Sequence, residues 1–232
     1  LGYRTEEFTA HRVSDFPRLL RQLYSRGFEG IFFSPVGKTF DASKLNWSPF
    51  CVLSCGRIDQ AGPFHTVRTE VFESTRLALE KVRQAGGRRI CLALHEHTPP
   101  LLDDFARQGA ALFFNSHSKK LSCRIYNSKG PINEVDFVGF LKRWEIDSVV
   151  GFSVAHYCAI INQGLSVPED IRFATLHRDE TVWGRHISGL LPLEFRCGTI
   201  AANRMDTMIR HHDKGTSPHP EQITVSGEWV PG

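Results

Sequence analysis

The sequence has no Cys-x-x-Cys pair, no lysine- or arginine-rich block, no apolar run of bilayer length and no charged-then-apolar opening stretch. Each gap removes a class of function. Six cysteines are scattered at 51, 55, 91, 123, 158 and 197, several inside apolar runs such as "RICLAL" (89–94). That pattern predicts buried, reduced thiols in a cytoplasmic protein and not a disulfide framework. A net charge of +3 is too weak to argue for nucleic acid, so no DNA-binding face is legible in this chain. The missing apolar run argues against a helical membrane span, and the missing leader against secretion. A nucleophile elbow, a phosphate loop and a dinucleotide fingerprint are absent as well. Gly86-Gly87 follows a helical pattern, whereas a phosphate loop would precede one, so the pair reads as a helix stop. Neither catalysis nor a cofactor is expected.

What the sequence does contain is alternation. At 41% hydrophobic and 23% charged, its 232 residues can build a core. Phe16, Leu19, Leu20, Leu23 and Tyr24 recur at helical spacing, with Ser14 and Asp15 as candidate caps and Pro17 in the first turn. A strand is expected within 26–36 and another at 49–55. Then come helix 71–85, strand 88–94, helix 101–114, strand 122–128, helix 133–144, strand 147–152, helix 154–163 and strand 171–176. A helix over 193–210 and one closing strand over 221–230 complete the pattern. Strands alternating with helices predict parallel sheets covered on both faces. The strands are too many for one small sheet, so two lobes are expected, divided near "HEHTPP" (95–100). In such sheets ligands bind outside the carboxyl ends of the strands. The stretch "GLSVPEDI" (164–171) reads as a connector: Gly164 closes a helix, Pro168 keeps Val167 extended, Glu169 and Asp170 stay solvated, and Ile171 opens a buried strand.

Taken in order, the connectors resemble those of the LacI/GalR-type transcription regulators. "GLSVPEDIRFATL" is similar to the family's Gly-x-x-Val-Pro-x-Asp-Ile connector, and "ESTRLALEKVRQAGGRRICLAL" (73–94) to its helix–strand unit with a Gly-x-Arg-Arg-Ile junction. "SRGFEGIFFSP" (25–35), "ISGLLPLEFRCGTIAANRM" (187–205) and "HPEQITVSGEWVPG" (219–232) resemble three further segments in the expected order. The resemblance implies an α/β, periplasmic-binding-protein-like fold: two Rossmann-like lobes with parallel sheets, joined by three crossover strands. It places residues 1–95 with 189–218 in one lobe and 96–188 with 219–232 in the other. It implies a small-molecule effector, usually a sugar or nucleobase, held between the lobes, and a homodimer. DNA would be contacted only through a head domain that this chain does not contain, and no membrane is involved. The opening "LGYRTEEF" (1–8) matches the family's segment just after the first strand and helix of its first lobe. A lobe without that strand should carry an exposed apolar groove, or need something else to fill it. A sugar-binding protein of transport or chemoreception would share the fold, and an α/β enzyme is the more distant alternative.

Transferring the family's clamp residues one position at a time gives an altered set. Arg57 and Asp59 fall near the first aspartate and Arg107 beside the expected arginine. Ser153 stands in place of an asparagine, and His177, followed by Arg178, in place of an aspartate. With His95 from the "HEH" segment and Trp183 as a ring platform, these are the candidate ligand contacts. Arg57, His177 and Arg178 suit an acidic ligand better than a neutral sugar; equally, they could be rim residues of an altered pocket. Trp183 could equally belong to a core or interface. His95 and His97 fall on one side of an extended chain, but no third ligand is evident, so no metal site is expected. Trp229 is expected to pack between the lobes.

Overall fold

The computed structural model describes residues 2–9, 12–33, 44–55, 64–98, 101–117, 122–178, 186–191 and 193–232. By its internal contacts the chain forms two units: residues 1–69 with 194–225, and residues 70–193 with 226–232. The chain therefore passes from one unit to the other three times.

The first unit is built on a four-stranded sheet of β1 (Gly30–Phe33), β2 (Cys51–Cys55), β3 (His65–Thr69) and β9 (Gln222–Val225), all parallel. Helix α1 (Phe16–Ser25) sends Phe16, Leu20 and Leu23 onto one face, where they meet Phe33, Phe50, Val52 and Phe64. Ala201, Met205 and Met208 of α6 (Glu194–Arg210) cover the other face over Cys51, Leu53 and Val67. Successive residues of β2 thus serve opposite faces, as the two-residue period of a strand requires. Ser14 and Asp15 do not cap α1 as expected. A 3₁₀ turn over Val13–Asp15 leads into the helix, and the Asp15 carboxylate takes the Arg12 N–H (3.2 Å) instead of a first-turn amide. The first unit has a groove. It measures about 1170 Å³ and lies between residues 2–9 and β1, lined by Phe8, Leu20, Ile31, Phe33 and Met205 among others.

The second unit holds a six-stranded sheet in the order β10-β8-β7-β6-β4-β5. Its strands are β4 (Arg89–Glu96), β5 (Ser122–Lys129), β6 (Ser148–Gly151), β7 (Arg172–Thr175), β8 (Ser188–Leu191) and β10 (Glu228–Val230). All pair in parallel except β10, which runs against β8. Ile90, Leu92 and Leu94 of β4 face helices α2 (Phe72–Gln84) and α3 (Leu102–Ser116). Cys91 and Ala93 face α4 (Glu134–Arg143) and α5 (Val154–Asn162). Between α5 and β7, the Asp170 carboxylate accepts the Ser166 N–H at 2.8 Å, and Gly164 takes the left-handed φ of 79° that ends α5. The connector thus has the structural role read from it.

Three expectations change. The division near residue 95 would cut the second sheet: β4 pairs with β5 along its whole length and with β6, so 70–95 belong to the second unit. For the same reason 189–193 stay with the second unit, through β8, and 219–225 join the first, through β9. The closing strand 221–230 is two strands in two different sheets, broken where the Gly227 N–H donates to Ser74 Oγ (3.0 Å). Trp229 pairs with Leu190 and packs on the second unit's own core.

Close packing of β8 against β7 supplies a test. A Cβ on Gly189 would sit 2.5 Å from the Thr175 carbonyl oxygen, in backbone that cannot step aside. Gly189→Ala should therefore lower stability by about 1–3 kcal/mol. Gly139, exposed inside α4 with open space around its missing Cβ, should do the reverse: Gly139→Ala is expected to raise stability by about 0.5–1 kcal/mol. Urea unfolding of both variants checks the pair.

Candidate functional site

Counted along the chain, the parallel strands of the second unit lie in the order second, first, third, fourth, fifth. Sheet order reverses between β4 and β6, and the crevice outside the carboxyl ends at such a switch point is where open α/β sheets bind ligands. Here the Phe152 N–H, just past β6, donates to the Ala93 carbonyl at 2.7 Å and fixes Phe152 at the switch.

Phe152 organises what surrounds it. His95 meets its ring edge-on at 5.6 Å, His177 at 5.0 Å and His97 at 6.4 Å between centroids. The Arg107 guanidinium lies 4.9 Å over the same ring. Arg107 is buried, which pulls its pKa down from the ordinary range against the opposing pull of Asp103 and Asp104. Asp104, also buried, is shared: its carboxylate meets His97 Nδ1 at 2.9 Å, accepts the Leu101 N–H at 2.9 Å and lies 3.6 Å from Arg107. The local sequence places these groups. His95 continues the alternation of β4 on the side of Cys91 and Ala93, His97 follows the end of the strand, and Asp104 and Arg107 are one turn apart on α3.

Behind this front lies His156, in the first turn of α5 and wholly buried. Its ring stands 4.9 Å from that of His95 and 5.4 Å from that of Phe137. Neither of its ring nitrogens makes a hydrogen bond of normal geometry among the described residues, although the Ser153 carbonyl is near enough to oppose part of its shift. Burial, and then the neighbouring His95, lower its pKa to about 4. His95 is also held below the ordinary histidine range, by burial first and His97 second. His95 Nδ1 lies 2.9 Å from Ser128 Oγ, whose hydroxyl is placed to donate to the Leu94 carbonyl at 3.3 Å. The Gly130 carbonyl also engages the His95 ring and opposes part of the lowering of its pKa.

Of the residues singled out in the sequence, His95, Arg107 and His177 converge on Phe152. Ser153 follows Phe152 as the N-cap residue of α5, without a side-chain bond to the helix amides. The Arg178 N–H donates to the Leu190 carbonyl (2.9 Å), which ties the end of β7 to β8. Arg57, Asp59 and Trp183 lie outside the described residues. Sequence reasoning missed Phe152, His156, Asp104 and Ser128 as members of the group. The one available signal was a histidine inside the apolar helical stretch "VAHYCAII" (154–161), a place where an imidazole needs a reason. Among the described residues no group of three or more His, Cys, Asp or Glu side chains could hold a metal ion. No helix among them is long and apolar enough to cross a membrane.

Two parallel α/β units, with the chain passing three times between them and a polar, aromatic-centred cluster at a sheet switch point, define a periplasmic-binding-protein-like fold. Comparison with solved structures agrees. The chain is similar to a LacI transcriptional regulator from Lactobacillus brevis (TM-score 0.67, 16% identity, 94% of this chain and 84% of that one). It is similar also to a LacI-family regulatory protein from Chloroflexus aggregans (TM-score 0.71, 14% identity, 96% and 82%). A third likeness is to a periplasmic binding protein/LacI transcriptional regulator from Alkaliphilus metalliredigens complexed with D-xylulofuranose (TM-score 0.64, 14% identity, 94% and 81%). At these identities the likeness shows the fold. No family model and no curated protein matches the sequence.

Proposed function

We propose that this chain is the effector-sensing part of a bacterial transcription regulator of LacI type. Its site at the β4/β6 switch would bind a small acidic ligand, a sugar acid or related polyol acid, without covalent chemistry. The observation that carries this reading is the convergence of Arg107, His95 and His177 on Phe152 in a fold shared with solved LacI-type regulators. The ring offers apolar contact, and the guanidinium and imidazoles offer donors for a carboxylate, the mixture a small-molecule site needs. Ligand binding would shift the population of a conformation on which DNA binding through a head domain depends. A cytoplasmic homodimer, with no metal or cofactor, completes the reading. The sugar in the Alkaliphilus metalliredigens structure favours a sugar-like frame for the ligand. It also keeps a sugar-binding protein of transport or chemoreception as the second reading.

Thermal-shift screening of the protein against neutral sugars, sugar acids and phosphorylated sugars tests this. A specific ligand at 100 times its Kd stabilises the fold by about 2.7 kcal/mol, several degrees in Tm. Acidic compounds are expected to raise Tm. Stabilisation by neutral sugars alone, unaffected by His177→Ala, would show that the ligand lies elsewhere.

A further inference from the structure

Helix α3 shows water an apolar face. Leu102, Phe105, Gly109, Leu112, Phe113 and Ser116 recur three and four residues apart, so they form one stripe along it. Its four large side chains are exposed, Leu112 at 66% and Phe105 at 56%. Phe113 is braced by Phe72 of α2, whose ring meets it edge-on at 5.9 Å between centroids. The polarity of the helix is inverted. Of its three charged residues, Asp104 and Arg107 are buried and Asp103 is half-buried, and none is exposed. The neighbouring helices differ: α2 exposes Glu73 and Arg83, and α4 exposes Asp136, Lys142 and Arg143. With Leu101 just ahead of α3, the stripe exposes roughly 500 Å² of apolar surface, a patch of the size that marks an interaction site.

What covers such a face must match it. A charge set against the stripe would lose its water and find no counter-charge, so the partner surface must itself be uncharged and apolar. The same stripe on a second copy meets that condition. A standard interface buries about 800 Å² on each partner, somewhat over half of it apolar, and one stripe supplies about that apolar share. Gly109, at the middle of the stripe, bears no side chain, which lets a facing helix come close. Phe105 and Leu112 stand on the same side of α3, about two turns apart, with Gly109 between them. Turned end for end about an axis at Gly109, a second α3 sets its Leu112 against Phe105 and its Phe105 against Leu112, the reciprocal pairing of a two-fold interface. Opposed helix dipoles favour that direction. We infer that the chain self-associates through α3, packed antiparallel against α3 of a second copy. This rests on the homodimer reading above and names the surface for it.

Sedimentation velocity of the whole chain, from about 1 to about 100 μM, tests this. One copy is 26.2 kDa, and the wild type should reach the mass of two at the upper end. Phe105→Asp and Leu112→Lys should each weaken association by at least about 100-fold, because each sets two charges into an apolar contact. Both positions are exposed within one copy, so each variant should keep the wild-type circular dichroism. An equal mixture of the two variants should return to two copies: one contact then joins the introduced carboxylate to the introduced amine, and the other keeps Leu112 on Phe105. Hydroxyl-radical footprinting of the wild type needs no variant. In the two-copy form Phe105 and Phe113 should be shielded relative to Phe195, although all three are exposed in one copy. A wild type of one copy throughout overturns the homodimer reading and this inference with it. A wild type of two copies that neither substitution disperses, and whose Phe105 reacts as freely as Phe195, leaves the homodimer and removes α3 from its surface. Variants that disperse yet stay apart when mixed overturn the antiparallel pairing.

Discussion

Replacing Arg107 with methionine should weaken binding of an acidic ligand by about 10- to 100-fold, the loss of one charge-assisted pair worth about 1.5–3 kcal/mol. The guanidinium is the permanent cation held over Phe152, 4.9 Å from the ring centroid, and it reaches that place from the buried side of α3. Methionine keeps most of the stem and its packing on Phe152, so the substitution removes charge more than volume. The effect on stability should be modest. Asp104 lies 3.6 Å from Arg107 but keeps closer bonds to His97 and to the Leu101 amide, so it is not left unpaired. Arg107→Lys is expected to recover only part of the affinity, because an ammonium cannot lie flat over the ring and present two parallel donors. Calorimetry with whichever acid stabilises the protein decides it: an unchanged Kd in Arg107→Met would remove Arg107 from the site.

Acid should unfold this protein early, and His156 should account for a large share. Its imidazole is neutral in the folded state down to about pH 4, whereas in the unfolded chain it binds a proton near pH 6.5. Between those values the unfolded state holds more protons, so stability falls as pH falls. Above about pH 6.5 protonation exerts no penalty, and by about pH 4 the protonation penalty is complete, at about 3 kcal/mol. His95, shifted in the same direction, adds to the loss with the same sign. His156→Leu should flatten this part of the profile. It should also leave stability at neutral pH equal or higher, since an apolar side chain replaces a buried imidazole that makes no hydrogen bond of normal geometry, which costs about 1–3 kcal/mol. Urea unfolding at several pH values measures both. A wild-type profile with no loss between pH 6.5 and 4, or a His156→Leu profile that follows the wild type, would contradict the assignment.

These two residues show how differently the parts of a site can be read. Counting positions from a resembled motif lands on Ala106, beside Arg107, and the structure places Arg107 over Phe152. His156 escapes notice because in one dimension it is a polar residue in an apolar helix. Nothing in "VAHYCAII" says that its ring will stand against His95, 61 positions earlier in the chain. Phe152 reads as the end of a strand, yet it is the ring that four other side chains meet. The expectation for the closing strand fails for a similar reason. Residues 221–230 are uniformly extended in character, and only hydrogen bonding decides that 222–225 join β3 while 228–230 join β8.

By itself, the sequence determined what depends on local chemistry. The spacing of apolar residues set the helices and strands and their order. Glycines with positive φ at 27, 86 and 164 marked helix ends. Tertiary structure decided what depends on pairing between distant segments. It gave β4 to the second sheet, put the switch point between β4 and β6, and enclosed His156 behind His95. The physical reason is that local preference acts over a few residues, whereas strand register and the burial of a ring are fixed by partners that the chain brings together only on folding.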